Sequence, residues 1–284
     1  MDPIKNMDQQ TVEGFGLEWT AFDQSDKALD ANTREQIFEN YFGIFPWEEL
    51  GAKAEGADLG CGSGRWSALV APRVRKLHAV DASASALKTA RANLSRMNNV
   101  EFHQCDVSNL PFPPQSLDFV FSLGVLHHVP DTRRAIRDIA NVLKPGAPFL
   151  VYLYYAFDNR PAWFRAIWKV TDYLRLVISR LPHGMRILAT TIIAAFVYWP
   201  LARSARLLEA VGLPYNLIPL SFYRDKPFYV MRTDSYDRFA TRLEQRFSKA
   251  EIQQMLEESG FSEIRFSDKE PYWCAVGVRS GRQI

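Results

Sequence analysis

The sequence predicts an α/β protein built on a doubly wound, mostly parallel sheet, and three observations lead to this fold class. Short apolar runs alternate with helical segments over residues 57–155, which is typical of a parallel sheet with helices on both faces. A glycine-rich turn, ADLGCGSGRW at 57–66, comes after the first run, as expected where a strand turns sharply into a helix. Two further apolar runs near the C-terminus, SEIRFSD and YWCAVGVRS, predict an antiparallel hairpin at the edge of the sheet.

Five strands are predicted before that hairpin. They are residues 54–59, 77–81, 100–106, 117–123 and 148–155, with a helix at 82–97 between the second and third. The run LDFVFSL is almost continuously apolar, as in strands that are buried on both faces. The first strand has the weakest support, because Gly56 and the neighbouring alanines have low strand propensity. We predict it because the glycine turn needs a strand to leave from.

Helix ends are marked by residues that cap helices. Asp131 stands at the N-cap position of the helix that begins with TRRAIRDIANVL, and residues 144–146, Lys-Pro-Gly, end it. Near the C-terminus, Ser248 and Glu251 have the spacing of a capping box, and Gly260 is placed to end the same helix. Two more helices are therefore predicted on the faces of the sheet.

The chain is predicted to divide into four parts. Residues 1–50 form an N-terminal helical cap, and residues 51–155 form the Rossmann-like core. Residues 156–235 form a mostly helical inserted lid or substrate region, since apolar residues recur there at helical spacing. Residues 236–284 complete the core.

Composition is ordinary for a globular protein. The 284 residues are 47% hydrophobic and 23% charged, with a net charge of +2, so charge alone does not indicate a nucleic-acid binder. The three cysteines, Cys61, Cys105 and Cys274, are too few and too far apart for a disulfide framework. The polar N-terminus shows no signal peptide. We therefore expect a cytoplasmic protein.

One apolar stretch bears on membrane association. Residues 187–202 carry no charge, but they are only 16 in number and include Pro200, whereas a spanning helix needs about 20 apolar residues. A buried helix is the favoured interpretation. A helix that lies at a membrane interface or faces the substrate is the alternative, and a transmembrane span is not predicted.

The glycine turn is the first candidate ligand site. Gly60, Gly62 and Gly64 alternate just after Asp58, so the backbone there can bend tightly and approach a ligand closely. Asp81 ends the second predicted strand about 20 residues further on, where an acidic residue typically holds a ribose diol. This spacing indicates a nucleoside ligand.

The glycine spacing itself argues against a nicotinamide dinucleotide. Such a ligand usually goes with G-x-G-x-x-G, whereas this chain has G-x-G-x-G and then Arg65. A nicotinamide-dependent oxidoreductase remains as a minor alternative.

Five motifs in order resemble those of the class I S-adenosylmethionine-dependent methyltransferases. They are ADLGCGSG, VDAS, CDVSNLPF, LDFVFSLGVLHHVPD and VLKPGAPFLVY. The resemblance is close over about residues 55–155 and loose over 236–280. It implies that the protein is an enzyme whose cofactor is S-adenosyl-L-methionine and whose product is S-adenosyl-L-homocysteine.

The same resemblance assigns the cofactor contacts. The glycine turn would hold the amino-acid end of the cofactor, Asp81 the ribose and Asp106 the adenine amino group. The full implied set is Asp58, Gly60, Cys61, Gly62, Gly64, Asp81, Ala82, Asp106, Val107, Leu123 and Trp19. For two of these residues a structural role is the alternative to cofactor binding. Asp58 would then only support the turn through hydrogen bonds, and Cys61 would only fill space in the core.

Two histidines are the candidate catalytic residues. His127 and His128 lie just past the fourth predicted strand, and histidine is the usual proton acceptor near neutral pH. Adjacent residues cannot both point the same way, so one can be the base while the other packs, and catalysis by positioning alone is a further alternative. His103 and Cys105 lack a third metal ligand, so no metal is predicted.

The residues just after the fourth strand narrow the acceptor class. Methyltransferases that act on exocyclic amines of nucleic-acid bases carry Asn/Asp-Pro-Pro-aromatic there, and this chain has Phe-Ser-Leu-Gly at 121–124. We therefore expect a small-molecule acceptor and no nucleic-acid partner. FGLEWTAF at 15–22 and the segment 242–273 are similar to methyltransferases of bacterial natural-product or polysaccharide pathways.

The inserted region gives the remaining evidence on the acceptor. Residues 152–239 contain 18 of the 37 aromatic residues, and 156–206 contain eight basic against two acidic residues. A helical lid with its own core and a solvated basic face explains this pattern. Alternatively, the region binds a large apolar acceptor with an anionic group, such as a lipid, an isoprenoid or a lipid-linked sugar, or it contacts lipid headgroups at the membrane. A protein that binds the cofactor without methyl transfer, such as a cyclase, is the last alternative.

Overall fold

The computed structural model describes residues 6–21, 31–51 and 53–281. The chain forms two compact units. The core unit comprises residues 1–158 and 243–284, and the inserted unit comprises residues 159–242.

The core unit contains a seven-stranded sheet in the order β3-β2-β1-β4-β5-β7-β6. Its strands are β1 Glu55–Leu59, β2 Lys76–Asp81, β3 Val100–Gln104, β4 Phe119–Leu123, β5 Pro148–Tyr152, β6 Phe261–Phe266 and β7 Cys274–Arg279. Strands β1 to β5 are parallel, and β7 pairs antiparallel with both β5 and β6. The predicted doubly wound, mostly parallel sheet with an antiparallel edge hairpin is confirmed.

Several strands are shorter than the sequence predicts, because pairing partners set their length. Strand β5 ends at Tyr152 instead of residue 155, since its partner β7 begins opposite Tyr152. Strand β3 ends at Gln104, opposite Asp81 at the end of β2. Beyond Tyr152, Tyr155 pairs only at an isolated bridge with Phe247 among the described residues.

Six helices of the core unit are described. They are α1 Gln9–Ala21, α2 Ala31–Phe42, α3 Ser67–Val70, α4 Ala84–Asn93, α5 Thr132–Val142 and α10 Lys249–Glu258. The N-cap of α5 is Asp131, whose side chain accepts from the backbone N–H of Arg134. Ser248 and Glu251 form the predicted capping box of α10.

Helices cover both faces of the sheet, and β4 separates two cores. Val120 packs in a cluster with Ile136 of α5 and Leu256 of α10. Phe119 and Phe121, which point the opposite way, pack in a second cluster with residues of α2, including Phe42. A strand that is buried on both faces explains the continuous apolar run.

Packing around Gly56 in β1 explains why a residue of low strand propensity is found in this strand. A Cβ atom at this position would lie 2.4 Å from the ring of Phe119 on the neighbouring strand. A glycine is therefore needed for close contact between β1 and the Phe119 side chain.

The inserted unit is helical, as predicted. Its helices are α6 Ala162–Ile178, α7 His183–Ile193, α8 Trp199–Ala210 and α9 Phe228–Ala240. A π-helical turn at Ala194–Tyr198 joins α7 to α8 in one continuous helix. A small apolar core forms from Ile178, Tyr198, Ala202, Met231 and Phe239.

The prediction that residues 187–202 form a buried helix is wrong. These residues lie in the helix His183–Ala210, which is long and apolar enough by length and composition to cross a membrane, with only 22% of its most apolar window buried. One face of this helix packs in the small core through Tyr198 and Ala202. The other face is exposed at Leu188 and Phe196. The lack of charge in this segment therefore does not reflect burial.

Candidate active site

The glycine turn lies at the carboxyl end of β1, where β2 and β4 diverge from it on opposite sides. Gly60, Gly62 and Gly64 have φ angles of 79°, 54° and 78°, which side chains rarely adopt. A Cβ atom on Gly60 would also lie 2.4 Å from the side chain of Val125. Backbone conformation therefore requires glycine at all three positions, and close packing also requires it at Gly60 and Gly64, at the strand switch point.

Asp81, the last residue of β2, is tied to this turn. Its Oδ2 atom accepts from the Gly62 backbone N–H at 2.9 Å, and its Oδ1 atom accepts from the Ser83 backbone N–H at 2.8 Å. Burial raises the pKa of this carboxyl, and the two backbone hydrogen bonds oppose the increase. Each carboxylate oxygen retains a second lone pair, so Asp81 can still accept hydrogen bonds from a ligand.

Asp58 places a second carboxyl beneath the turn, and this one is buried. Ser67, the first residue of α3, donates its hydroxyl to Oδ2 of Asp58 at 2.6 Å. Burial raises the pKa of Asp58 to about 7, with a smaller increase from the charge of Asp81, while the Ser67 hydrogen bonds lower it. Two neighbouring carboxyl groups that are costly to ionise favour a cationic or hydroxyl-bearing ligand.

Asp106 lies beyond the end of β3, at the same edge of the sheet. Its Oδ1 atom accepts from the Ser108 backbone N–H at 2.9 Å, and its Oδ2 atom accepts from the Asn109 side-chain amide at 2.7 Å. Val107 beside it is buried, and Ala82 after β2 is half-buried. The carboxyl ends of β2 and β3 thus bring Ala82, Asp106 and Val107 to the edge that carries the turn.

The other predicted cofactor residues take varied positions. Leu123 is the last residue of β4, and Gly124 after it has a φ of 77° with open space around its Cα. Cys61 is buried, and burial together with the nearby carboxylates raises the pKa of its thiol well above the usual value, which suits packing and disfavours a nucleophile. Trp19 lies in α1, and its side chain is outside the described part of the structure.

His127 is held in a buried, neutral state. It lies in the short helical turn Leu126–His128 after β4, and its ring stacks on Tyr154 with 3.8 Å between centroids. Its Nδ1 atom accepts from the Tyr154 backbone N–H at 3.3 Å, which places the ring proton on Nε2. Burial, then the charges of His128 and Arg246, hold the pKa of His127 well below its usual value. His127 is therefore a poor proton acceptor.

His128 has the opposite arrangement of ring nitrogens. Its Nδ1 atom lies 2.7 Å from the carbonyl oxygen of Leu243, so Nδ1 carries the proton and donates. The lone pair is therefore on Nε2. The ring of Phe15 in α1 lies 4.9 Å from the His128 ring. Of the two predicted histidines, His128 has the tautomer that suits a general base.

A group of potential metal ligands was missed by the sequence prediction. His103 faces His78 on the neighbouring strand, with Nε2 and Nδ1 2.9 Å apart, and Glu101 Oε2 lies 3.4 Å from His78 Nδ1. The Nζ atom of Lys76 already contacts this carboxylate at 2.6 Å, and a divalent cation would have to displace it. Strand register, which pairs His78 with Glu101, creates this group, and Cys105 does not belong to it.

Comparison with known proteins identifies the core unit. The family described as "Methyltransferase domain" matches residues 57–151. The chain is 31% identical over 134 residues to the 27-O-demethylrifamycin SV methyltransferase of Amycolatopsis mediterranei, covering 44% of this chain and 45% of that protein. It is 28% identical over 167 residues to the ubiquinone biosynthesis O-methyltransferase of Coxiella burnetii, covering 58% of this chain and 69% of that protein.

A solved structure supports the fold over the whole chain. It is a protein of Methanococcus maripaludis assigned to the S-adenosyl-L-methionine-dependent methyltransferases, with a TM-score of 0.53, 17% identity and 99% coverage of each chain. At this identity the likeness concerns the fold alone.

The described residues fit S-adenosylmethionine. The ligand is a cation without phosphate, and the turn lies beside two carboxyl groups, the buried Asp58 and the half-buried Asp81. The matched family, its ordered motifs along β1 to β5 and the strand order of the sheet agree. Residues 57–151 therefore form a methyltransferase domain with the features of the class I S-adenosylmethionine-dependent methyltransferases.

Proposed function

We propose that this protein transfers a methyl group from S-adenosylmethionine to a small-molecule acceptor. The proposed acceptor is a natural-product-type compound with a large apolar or aromatic skeleton. The observation that carries the methyl-transfer proposal is the glycine turn with its two carboxyl groups at the edge of the sheet. When bound, S-adenosylmethionine supplies an electrophilic methyl group on a sulfonium. Everything else in the reaction is positioning and proton transfer by the chain's own residues.

The carboxylates are proposed to bind and orient the cofactor. Asp81 accepts hydrogen bonds from the ribose hydroxyls through the lone pairs that Gly62 and Ser83 leave open. Asp106, fixed by Ser108 and Asn109, accepts from the adenine amino group in the same way. Because both carboxylates are already oriented by neighbouring residues, cofactor binding requires little reordering of these side chains.

His128 is proposed to act as the general base. For a hydroxyl or protonated amine acceptor, the Nε2 lone pair takes the proton while Nδ1 stays hydrogen-bonded to the Leu243 carbonyl. His127 would instead donate its Nε2 proton to a bound ligand, since this buried atom has no hydrogen-bond partner among the described residues. The two histidines thus have different roles, one in proton transfer and one in orientation.

Two observations support an apolar acceptor. The inserted unit presents many aromatic and aliphatic side chains at its surface, and it is strongly basic. Two curated relatives are named for rifamycin methylation and for O-methylation in ubiquinone biosynthesis, which favours O-methylation of a small molecule here. The chain spans about half to two thirds of the length of these relatives, so their acceptors are guides only.

A lipid, isoprenoid or lipid-linked sugar with an anionic group is the second candidate acceptor. The basic, exposed apolar surface of the inserted unit favours it. Under either candidate we propose a cytoplasmic enzyme that does not bind nucleic acid. Cofactor binding without methyl transfer, as in a cyclase, is the third possibility.

Turnover with a labelled methyl donor tests the proposal. The protein is incubated with a panel of phenolic, quinol and prenylated acceptors, and S-adenosylhomocysteine and labelled product are both measured. Labelled product with an apolar acceptor, lost in Asp81→Ala, is the expected result. Tight cofactor binding without S-adenosylhomocysteine, across the panel and in extracts rich in such compounds, would instead support the third possibility.

A further inference from the structure

The inserted unit carries an apolar surface that the core unit lacks. Among the described residues, all seventeen large apolar side chains that are exposed lie between residues 163 and 228. Soluble monomers rarely expose large contiguous apolar patches, and such patches typically mark interaction surfaces. The most exposed members are Phe196 and Tyr173, at 77% and 74%.

Helix α6 arranges its exposed apolar residues in one stripe. At about 100° per residue they fall on one face of the helix. The stripe is Trp163, Ile167, Val170, Leu174 and Val177. The buried Arg175 and Ile178 lie to one side of this stripe. On the same helical projection, the exposed basic residues Lys169 and Arg165 lie on the other side of the stripe, beyond the exposed Tyr173.

The long helix His183–Ala210 repeats this arrangement. Its exposed apolar residues are Met185, Leu188, Ile192, Phe196, Val197, Trp199 and Leu207. Its other face packs in the small core of the inserted unit. Both helices therefore have one face that supports the unit and one apolar face that is exposed.

The two units also differ in net charge. Residues 159–242 contain 13 Lys and Arg against five Asp and Glu, a net charge of +8. The remaining 200 residues contain 21 against 27, a net charge of −6. An apolar surface on a strongly basic unit matches an anionic lipid surface in both hydrophobicity and charge.

We propose that the exposed apolar faces of α6 and of helix His183–Ala210 dock on the surface of an anionic lipid bilayer, with both helices lying in the interface. This inference extends the proposed function, because docking would bring the enzyme to an apolar acceptor in the membrane. Only this benefit of docking rests on the proposed function. Docking itself involves neither the cofactor nor the reaction.

A membrane-spanning arrangement conflicts with the contacts of the long helix. Ser235 of α9 donates its hydroxyl to the Thr190 carbonyl at 2.9 Å, and Tyr198 and Ala202 are buried in the small core. Surrounding the helix with lipid would break these contacts. A second copy of the chain is also disfavoured, because two units of charge +8 would meet.

Vesicle flotation with the full chain tests the proposal, without methyl donor or acceptor. Vesicles of phosphatidylcholine with about one-third phosphatidylglycerol should carry the protein, and pure phosphatidylcholine should carry much less. Val170→Glu combined with Phe196→Glu should lower the partition coefficient at least about tenfold. The matched control, Ala92→Glu with Ser95→Glu, adds the same charge to the core unit and should change it less than about twofold.

Further measurements separate the outcomes. Arg165→Glu with Lys169→Glu should weaken binding to anionic vesicles, whereas Lys88→Glu with Arg96→Glu on the core unit should not.

Absence of wild-type flotation would overturn the proposal, as would a dimer in sedimentation analysis that Val170→Glu with Phe196→Glu dissociates. Protein that resists extraction from native membranes by alkaline carbonate would indicate a span and overturn interfacial docking. Methyl transfer to a soluble acceptor by a protein that does not float would contradict docking and leave the proposed function intact.

Discussion

At the residue scale, the site combines carboxyl groups that resist ionisation with histidines of fixed tautomer. Asp58 is buried and Asp81 is half-buried, and partial or full removal from water raises the pKa of both carboxyl groups. His127 and His128 are neighbours in sequence but hydrogen-bond through Nδ1 in opposite senses, one as acceptor and one as donor. We expect these environments to decide which side chain binds a ligand, which one accepts a proton and which one changes its charge with pH.

Asp81→Ala should weaken S-adenosylmethionine binding by roughly 1.5–3 kcal/mol, because hydrogen bonds to a charged acceptor are lost. Calorimetric titration measures this change. The control is Asp118→Asn, which removes a carboxylate that pairs with Lys144 just before the start of β4, at the opposite edge of the sheet. Equal affinity of folded Asp81→Ala and wild-type protein would remove Asp81 from the site.

Asp58 should make stability depend on pH. Its pKa rises from 3.8 to about 7 on folding, so the protonated side chain favours the folded state fully below the unfolded value. That contribution is lost as pH rises through about 7, at a slope of up to about 1.4 kcal/mol per pH unit. Asp58→Asn should therefore gain stability relative to wild type between about pH 4 and about pH 7 in denaturant titrations, and the difference should level off at higher pH. A difference between the two proteins that stays constant with pH would contradict the raised pKa.

His128→Ala should lower kcat by about 10²–10⁴-fold for an acceptor that loses a proton, with cofactor affinity little changed. The acidic limb of the pH–rate profile should disappear with it. His127→Ala serves as the comparison, and it should lower stability, because its buried ring stacks on Tyr154, and weaken ligand binding through the lost Nε2 donor, with a smaller effect on kcat. Near-full turnover in both variants would show that positioning alone drives the reaction.

At the scale of elements, the sheet is assembled by contacts that a single strand does not reveal. The weakly predicted β1 is a central strand, paired with β2 and β4. Its Gly56 makes room for the Phe119 ring, so poor local propensity is outweighed by packing between strands.

Gly56→Ala should cost about 1–3 kcal/mol of unfolding free energy, because the new methyl group would overlap the Phe119 ring. Denaturant unfolding measures this loss. Gly51→Ala is the matched control, since nothing lies within 4 Å of a Cβ atom there, and it should change stability by under about 0.5 kcal/mol. Phe119→Leu should partly rescue Gly56→Ala if overlap with the ring is the cause.

At the scale of the whole molecule, chemistry and surface character are distributed between two units. The glycine turn, the three site carboxylates and both histidines belong to the core unit, whereas the exposed apolar surface and most of the excess positive charge belong to the inserted unit. We expect the units to respond separately to different ligands.

Hydrogen exchange tests that separation. S-adenosylhomocysteine should slow exchange in peptides that cover the carboxyl ends of β1, β2 and β4, with little change in α6 and α8. Anionic vesicles should protect α6 and the helix His183–Ala210 and leave the glycine turn unaffected. Equal protection of both units by the cofactor product would indicate one cooperative ligand site.

Short-range patterns in the amino-acid sequence were enough to specify several features of the protein. The alternation of strands and helices, the glycine turn and the capping box of Ser248 and Glu251 are local, because each depends on residues a few positions apart. Motifs that come after successive parallel strands also converge at one sheet edge, so strand order was enough to predict the position of Asp81 and Asp106.

Features that depend on distant partners were decided only in the folded chain. The tautomer of His128 is set by Leu243, which is 115 residues away in the chain, and the His78 and His103 pair arises from strand register. Exposure of residues 187–202 could not be read from their composition, because a buried helix and a membrane-facing helix are equally apolar. The hydrophobicity of a segment determines how strongly it favours leaving water. Whether the rest of the protein buries that segment is decided only by the tertiary structure.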